Sequence, residues 1–304
     1  MTNSPNFRGI CEKSLGLQMT RKSRMTNLRH PYLAELDSRF YGSLDFIKFR
    51  PKNIFSIDVF PCLKNKTNNS FFNKSNWYEG SFPYNDLKTP TKIKFFTNFV
   101  KNLFPFSKRK QIFYPTKNNQ YIFADNSFDC VEALAVIPWA NDPVSLINEI
   151  HRLLDSGGFF GFASFGPETL KTLVRSLDEE NKYPASKSFL SLIDLHDIGD
   201  FCTSAGFVNP VVASNQVCFK YKEAETALSE LRALSGNPRS DRVNYLRGKK
   251  WYETLINALN KCRDSDGFVS LEFEFIYGHA WKAEKKSSKI QRNSNFIEKQ
   301  VKFF

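Results

Sequence analysis

The sequence predicts an α/β fold, a mostly parallel sheet covered by helices on both faces. Two observations carry this expectation. Strand-like apolar runs alternate with helical patterns over most of the chain. Within that alternation, Asn148-Glu149-Ile150-His151-Arg152-Leu153-Leu154-Asp155-Ser156-Gly157-Gly158-Phe159-Phe160 joins a helix with a basic last turn to a Gly-Gly pair and an apolar strand.

Taken in order, ordered sequence is expected from His30. Leu33, Leu36, Phe40, Leu44 and Ile47 fall on one helical face, with Glu35, Asp37 and Arg39 off it. Pro51 and Asn53 break that helix, and residues 54–59 follow as a short strand of β-formers. Residues 60–120 carry less pattern. Residues 64–70 have loop chemistry, Phe71-Phe72 and Trp77-Tyr78 suit a second strand, and 91–106 looks helical. Lys108-Arg109-Lys110 reads as a solvated turn. A strand is expected at 130–136, then a helix opened by Pro143 with Val144, Ile147, Ile150 and Leu154 inward. Glu149 and Arg152 are spaced for its surface, and Gly157-Gly158 for its stop. Residues 159–165 read as a buried strand, and Pro167 as the start of a helix reaching about Glu180. A short helix at 195–205 ends at Gly206. Strands at 208–221 and 268–277 enclose helices near 223–234 and 249–262.

The length of 304 residues suffices for one large domain, or a domain with a lid. No apolar run approaches the roughly 20 residues that cross a bilayer, so no membrane association is expected. Six scattered cysteines without a Cys-x-x-Cys predict reduced thiols and no metal site. The net charge of +12 raises nucleic acid as a partner. However, the lysines are interleaved with Asn and Ile and with 31 phenylalanines. These residues share AT-rich codons, so base-composition drift accounts for charge and aromatics together, and no nucleic-acid binding is expected. In the first 30 residues Arg8, Lys13, Arg21, Lys22, Arg24 and Arg29 face one acid, Glu12. That stretch reads as a disordered basic arm, a mitochondrial transit peptide, or sequence ahead of a true start at Met19 or Met25. Without an apolar leader region, a cytoplasmic monomer is expected, with a mitochondrial location as the alternative.

Residues 128–206 carry a family likeness. The run at 148–160, then Ser164-Phe165-Gly166-Pro167-Glu168-Thr169-Leu170-Lys171 and Ile193-Asp194-Leu195-His196-Asp197-Ile198-Gly199-Asp200, resembles the class I S-adenosylmethionine-dependent methyltransferases. Among them it is similar to the malonyl-acyl-carrier-protein O-methyltransferases of biotin synthesis. Leu33-Ala34-Glu35-Leu36-Asp37-Ser38-Arg39-Phe40-Tyr41 resembles the start of that group and Phe273-Glu274-Phe275-Ile276-Tyr277-Gly278-His279-Ala280-Trp281-Lys282 its end. A mitochondrial complex I assembly factor of the same superfamily shares much of this pattern. The resemblance implies a seven-stranded Rossmann-like methyltransferase sheet at 31–282, completed by a late antiparallel strand. A small helical lid is implied at about 167–190 and 223–262, with a basic arm at 1–30 and a disordered basic tail at 283–304. It also implies methylation of the free carboxylate of malonyl carried on acyl carrier protein, with S-adenosylmethionine as cofactor. Two alternatives stay open: a scaffold that has lost its cofactor, and an assembly-factor-type enzyme acting on a protein.

The resemblance also assigns residues. Its members hold the cofactor with a Gly-rich turn after the first strand, an acid after the second and an Asp after the third. Here the first turn reads Asp58-Val59-Phe60-Pro61-Cys62. Asp58 is retained, but Phe60 and Cys62 replace both glycines and bar the φ > 0 conformations that Gly permits. Pro61 also removes a backbone donor. Asp58, Val59 and Phe60 are the implied cofactor contacts, with Glu79 as the ribose acid and Trp139 as the adenine-side wall. Lys117 stands where the family has its adenine-binding Asp, and Lys has no acceptor to offer. Ala133-Leu134 replace a polar Ser-Asn pair, while Asn141-Asp142 remain. Cofactor binding is therefore expected to be weak or lost. Phe165, Gly166, Tyr277 and His279 are the implied substrate-side residues. No catalytic residue is expected, because a carboxylate acceptor needs no general base and positioning does most of the work. Structural readings stay open beside these: Asp58 as a turn cap, Glu79 as a loop residue, Trp139 as packing, residues 165–168 as a turn.

Overall fold

A computed structural model describes residues 8–11, 13–16, 18, 30–59, 75–82, 112–113, 115, 120–180, 188–234, 237–242 and 248–284. The expected helix at 91–106 and strand residues Phe71-Phe72 lie outside the described residues, as do Phe60, Pro61, Cys62 and Lys117.

Helix α1 (Pro31–Ser43) opens on a proline, whose missing N–H is not needed in a first turn, and buries Tyr32, Leu33, Leu36, Phe40 and Tyr41. The chain then enters β1 (Asn53–Asp58) beside β4 (Phe128–Leu134). Asp129 fixes that entrance, its Oδ2 accepting from the N–H of Lys52 at 3.0 Å and of Asn53 at 2.8 Å. On the other side of β1 lies β2 (Asn76–Ser81), followed by the two-residue β3 (Ile112–Phe113). Beyond β4 come β5 (Leu154–Phe165), β7 (Val269–Lys282) and, at the edge, β6 (Phe207–Tyr221). The order is β3-β2-β1-β4-β5-β7-β6. Seven strands are reached only through the two-residue β3, and six carry the sheet. Pairings from β3 to β5 are parallel, and β7 runs antiparallel to both β5 and β6. The expectation of a mostly parallel sheet with a late antiparallel strand holds.

Side chains alternate between the two faces, and each face has its own core. Helix α1 shares one with α3 (Lys171–Glu180), α5 (Ala224–Leu234) and α6 (Gly248–Lys261). The other lies under α2 (Pro143–Leu153) and α4 (Leu195–Ser204). Leu173, Leu177, Ala227, Leu228, Ala258 and Leu259 are buried with Phe273 and Phe275 of β7, so the segments expected as a lid contribute to the helical layer on this face. The helix expected from Pro167 begins at Lys171, after a turn in which Leu170 adopts φ 59°.

Two expectations around α2 are corrected. The helix starts at Pro143 as expected, and Asp142 caps it, accepting from Ser145 N–H at 3.0 Å. However, α2 stops at Leu153, four residues ahead of Gly157-Gly158. Lys282 ends it, its Nζ lying 2.8 Å from the carbonyl of His151 and 2.7 Å from that of Leu154, a cation at the negative helix end. The glycines serve a register shift in β5 instead. Gly157 sits at φ 74°, and a Cβ on Gly158 would lie 2.8 Å from the Asp155 carbonyl. Glu149 is also not on the surface: it is buried at 5% exposure. Its carboxylate accepts from Tyr121 N–H at 2.8 Å and from Arg152 at 2.8 and 2.7 Å. Arg152 also donates to the Phe123 carbonyl at 2.9 Å and Asp125 at 2.6 Å, clamping the segment that leads into β4.

The segment expected as a disordered arm is in part built into the fold. Ile10 and Leu15 are buried in the α2-side core. Ser240 N–H donates to the Gly9 carbonyl at 2.8 Å, and Cys11 N–H to that of Pro238 at 2.8 Å. Among the described residues no helix is long and apolar enough to cross a membrane, and no group of three residues is placed to hold a metal.

Candidate functional site

In open α/β sheets ligands bind beyond the carboxyl ends of the strands, where the strand order reverses. Here that point lies between β1, whose order continues to β2 and β3, and β4, whose order continues to β5. Asp58 ends β1 directly opposite Leu134 at the end of β4 and Ser81 at the end of β2. Asp58 is 2% exposed and Val59 is buried beside it. Ala135, next after β4, takes φ 55°, a left-handed backbone that a non-glycine residue adopts at a cost of order 1–3 kcal/mol. A short 3₁₀ turn, Ile137–Trp139, follows, with Trp139 buried.

The implied ribose acid is not where the expectation put it. Glu79 lies inside β2, opposite Ser56 and two residues short of the carboxyl end. Ser56 in turn faces Glu132 on β4, so Glu79, Ser56 and Glu132 form a row across three strands. Tyr41 of α1 donates to the fully buried Glu132 at 3.2 Å, which marks this row as lying under α1. β2 ends at Ser81, with the buried Phe82 next after it, and the Ser81 carbonyl accepts from Tyr121 Oη at 2.9 Å. Burial, and then Glu149, raise the Tyr121 pKa well above the ordinary phenol value, so this hydroxyl stays a donor.

The substrate-side residues divide. Phe165 ends β5 at the carboxyl edge and packs on Phe273 and Phe275, with ring centroids 5.9 and 5.8 Å apart. Gly166 is held to β7, its N–H donating to the Glu274 carbonyl at 2.9 Å. The buried Glu274 carboxylate accepts from Glu168 N–H at 2.9 Å and lies so near that a Cβ on Gly166 would meet it at 2.3 Å. Glu272 accepts from Thr172 N–H at 2.9 Å, capping α3. The turn at 165–168 is thus fastened to β7 whatever else it does. Tyr277 pairs with Ala163 and hydrogen-bonds Asn215 of the edge strand β6. His279 pairs with Gly161 in mid-sheet, stacked on Phe159 at 5.4 Å, and burial lowers its pKa. Because β7 runs away from the carboxyl edge, His279 lies further from it than Tyr277 does. His151 packs on Phe207 at 4.9 Å, near the amino end of β6.

Sequence reasoning missed the N-terminal segment. Arg8 donates to the Pro138 carbonyl at 2.7 Å and to that of Ser191, and its N–H donates to the Asn141 carbonyl at 3.1 Å. Asn141 Oδ1 accepts from Ile10 N–H at 3.0 Å. Ile10 and Leu15 are the apolar residues buried here among the described ones, and the basic residues around them masked that signal.

Tested against the implied cofactor, these residues fit in part. Asp58 and Val59 lie at the carboxyl end of β1, where the resemblance puts the methionine contacts, and Trp139 is buried in the turn after β4. No carboxylate ends β2 among the described residues.

A sequence model of the family described as methyltransferase domain matches residues 101–162, beyond the first turn. Malonyl-[acyl-carrier protein] O-methyltransferase 1 of Coxiella burnetii is 31% identical over 168 residues, 55% of this chain and 58% of that protein. The enzyme of the same name from Gallionella capsiferriformans is 33% identical over 160 residues, 52% of this chain and 54% of that protein. A third, from Legionella pneumophila, is 24% identical over 253 residues, 83% and 84% of the two chains. The chain thus spans a little over half the length of the first two relatives. By strand order and by these matches, it resembles the class I S-adenosylmethionine-dependent methyltransferases, and within them the malonyl-[acyl-carrier protein] O-methyltransferases.

Proposed function

We propose that this chain transfers a methyl group from S-adenosylmethionine to the free carboxylate of a malonyl group on acyl carrier protein, in the service of biotin synthesis. The reversal of strand order between β1, ending at Asp58, and β4, ending at Leu134, supports the reading. The acceptor follows from what the relatives are named for. When bound, the cofactor supplies an electrophilic methyl on a sulfonium. The chain's own residues bind and orient. Asp58 and Val59 hold the cofactor's methionine end, Trp139 excludes water beside the adenine, and the N-terminal segment covers the 138–141 loop. A carboxylate acceptor is already ionised at neutral pH, so no side chain has to take a proton. The net charge of +12 favours encounter with an acidic carrier protein.

A second reading, a methyltransferase scaffold without activity, is favoured by Phe60-Pro61-Cys62 and by Ser81 and Phe82, with no acid, at the end of β2 among the described residues. Labelled S-adenosylmethionine and malonyl-acyl carrier protein, offered to the native protein and to the triple variant Phe60→Gly, Pro61→Cys, Cys62→Gly, separate the two. Label transfer, at least about 10-fold faster in the variant, supports the enzyme. Two folded proteins that transfer nothing, and that fail to rescue a biotin-requiring strain, leave the scaffold.

A further inference from the structure

We propose that Arg8 is the carboxylate-recognising residue of the acceptor site, so that the N-terminal segment selects acyl thioesters ending in a free acid. The inference rests on the methyltransferase reading and names the substrate class of that same site.

Residues 8–18 strap three loops together. Two of them have a fixed place: residues 138–141 follow β4, and residue 191 precedes α4, which descends to the amino end of β6. Both therefore lie at the carboxyl edge of the sheet. The strap is fastened again at 237–242, where Arg242 donates to Ser14 Oγ and, at 3.1 Å, to the Asn237 carbonyl. Arg8 is held here by two backbone carbonyls, Pro138 and Ser191, and among the described residues no carboxylate pairs with it. Its cationic neighbour Arg239 differs, being bound to Asp241 by two bonds of 2.8 Å. Burial first, and Arg239 second, pull the Arg8 guanidinium down to about 10, so it remains charged at neutral pH. A half-buried guanidinium with carbonyl partners alone keeps donors for a planar anion, the geometry for which arginine is suited. An anion arriving there also relieves the cost of burying the charge. Methylation removes the acceptor's charge, so the same residue that holds the acid releases the ester.

The test is equilibrium binding of malonyl-pantetheine and of its methyl ester, by calorimetry, to the native protein, Arg8→Gln and Arg242→Gln. The native protein should hold the acid at least about 10-fold tighter than the ester, a difference of about 1.4 kcal/mol. Arg8→Gln should bind both equally, with ester affinity unchanged. Arg242→Gln loosens the strap without removing the charge and should keep the preference. A native protein that binds neither probe, or shows no preference, overturns the proposal, as does an Arg8→Gln protein that still prefers the acid. Equal loss of preference in both variants also overturns it, leaving a structural strap. Acid preference without any methyl transfer would count against the reaction and not against Arg8.

Discussion

From β4 to β6, charged side chains tie the loops to backbone groups. Arg152 and Glu149 clamp the approach to β4, Lys282 ends α2, and Glu272 and Glu274 fasten the turn after β5. From β1 to β3 the described contacts are mainly aromatic. Phe55 stacks on Phe128 at 5.1 Å and meets Tyr121 edge-on at 4.8 Å, while Phe123 lies 4.6 Å from Phe113 and 4.9 Å from Phe128. Hydrogen-bonded ties demand particular residues at particular places, whereas an aromatic cluster accepts many sequences of similar volume. The half from β4 to β6 therefore adds, to aromatic pairs of its own, ties that depend on particular residues, and the described contacts from β1 to β3 tolerate more change.

The largest effect should come from emptying the aromatic side. Phe55→Ala should cost about 4 kcal/mol in urea unfolding, since the ring is fully buried against those of Tyr121, Phe123 and Phe128. A cost under about 1.5 kcal/mol would mean that the cluster collapses around the gap, and that this half is looser than described. Next, Arg152→Met strands the buried Glu149 carboxylate and should cost about 3 kcal/mol. Asp125→Asn should change stability by less than about 1 kcal/mol, because that carboxylate is 69% exposed. Equal costs for the two would show that Glu149 is not the anchor. Gly166→Ala should cost about 2 kcal/mol by displacing Glu274 from Glu168 N–H, with a double variant Gly166→Ala, Glu274→Ala less than additive.

The smallest effect is on pH. Burial holds the His279 pKa below its ordinary value, and burial with Lys282 does the same for His151. The unfolded chain, titrating near about 6.5, then binds more protons than the folded one as pH falls. Stability should be fully present above that value and decline as pH drops from it toward the folded-state pKa. His279→Gln should flatten the decline, and a stability that rises on acidification would contradict the described burial.

Most of the sheet was legible because its strands and helices obey simple periods. Pro143 and the 3.6-residue spacing of Ile147, Ile150 and Leu154 gave α2, and β1 emerged from an unbroken run of β-formers. What misled was local chemistry that tertiary contacts override. Gly157-Gly158 looks like a helix stop, but Lys282, 131 and 128 residues from the His151 and Leu154 carbonyls it meets, does the stopping. Glu149 and Arg152 look like a surface pair until the 121–125 segment folds over them. Glu79 was placed after its strand because Trp77-Tyr78 alone does not reveal that β2 runs on to Ser81. Arg8 was invisible for the same reason: its partners, Pro138 and Ser191, are over a hundred residues distant.

The proposed weakening of the cofactor side relative to the better-tied β4–β6 half is tested most directly by calorimetric titration with S-adenosylmethionine, beside a relative that keeps both glycines of the first turn. Phe60 and Cys62 in place of those glycines, and no acid ending β2 among the described residues, predict a dissociation constant at least about 100-fold larger than the relative's, or about 2.7 kcal/mol. Affinity within a few-fold of the relative's would contradict the account.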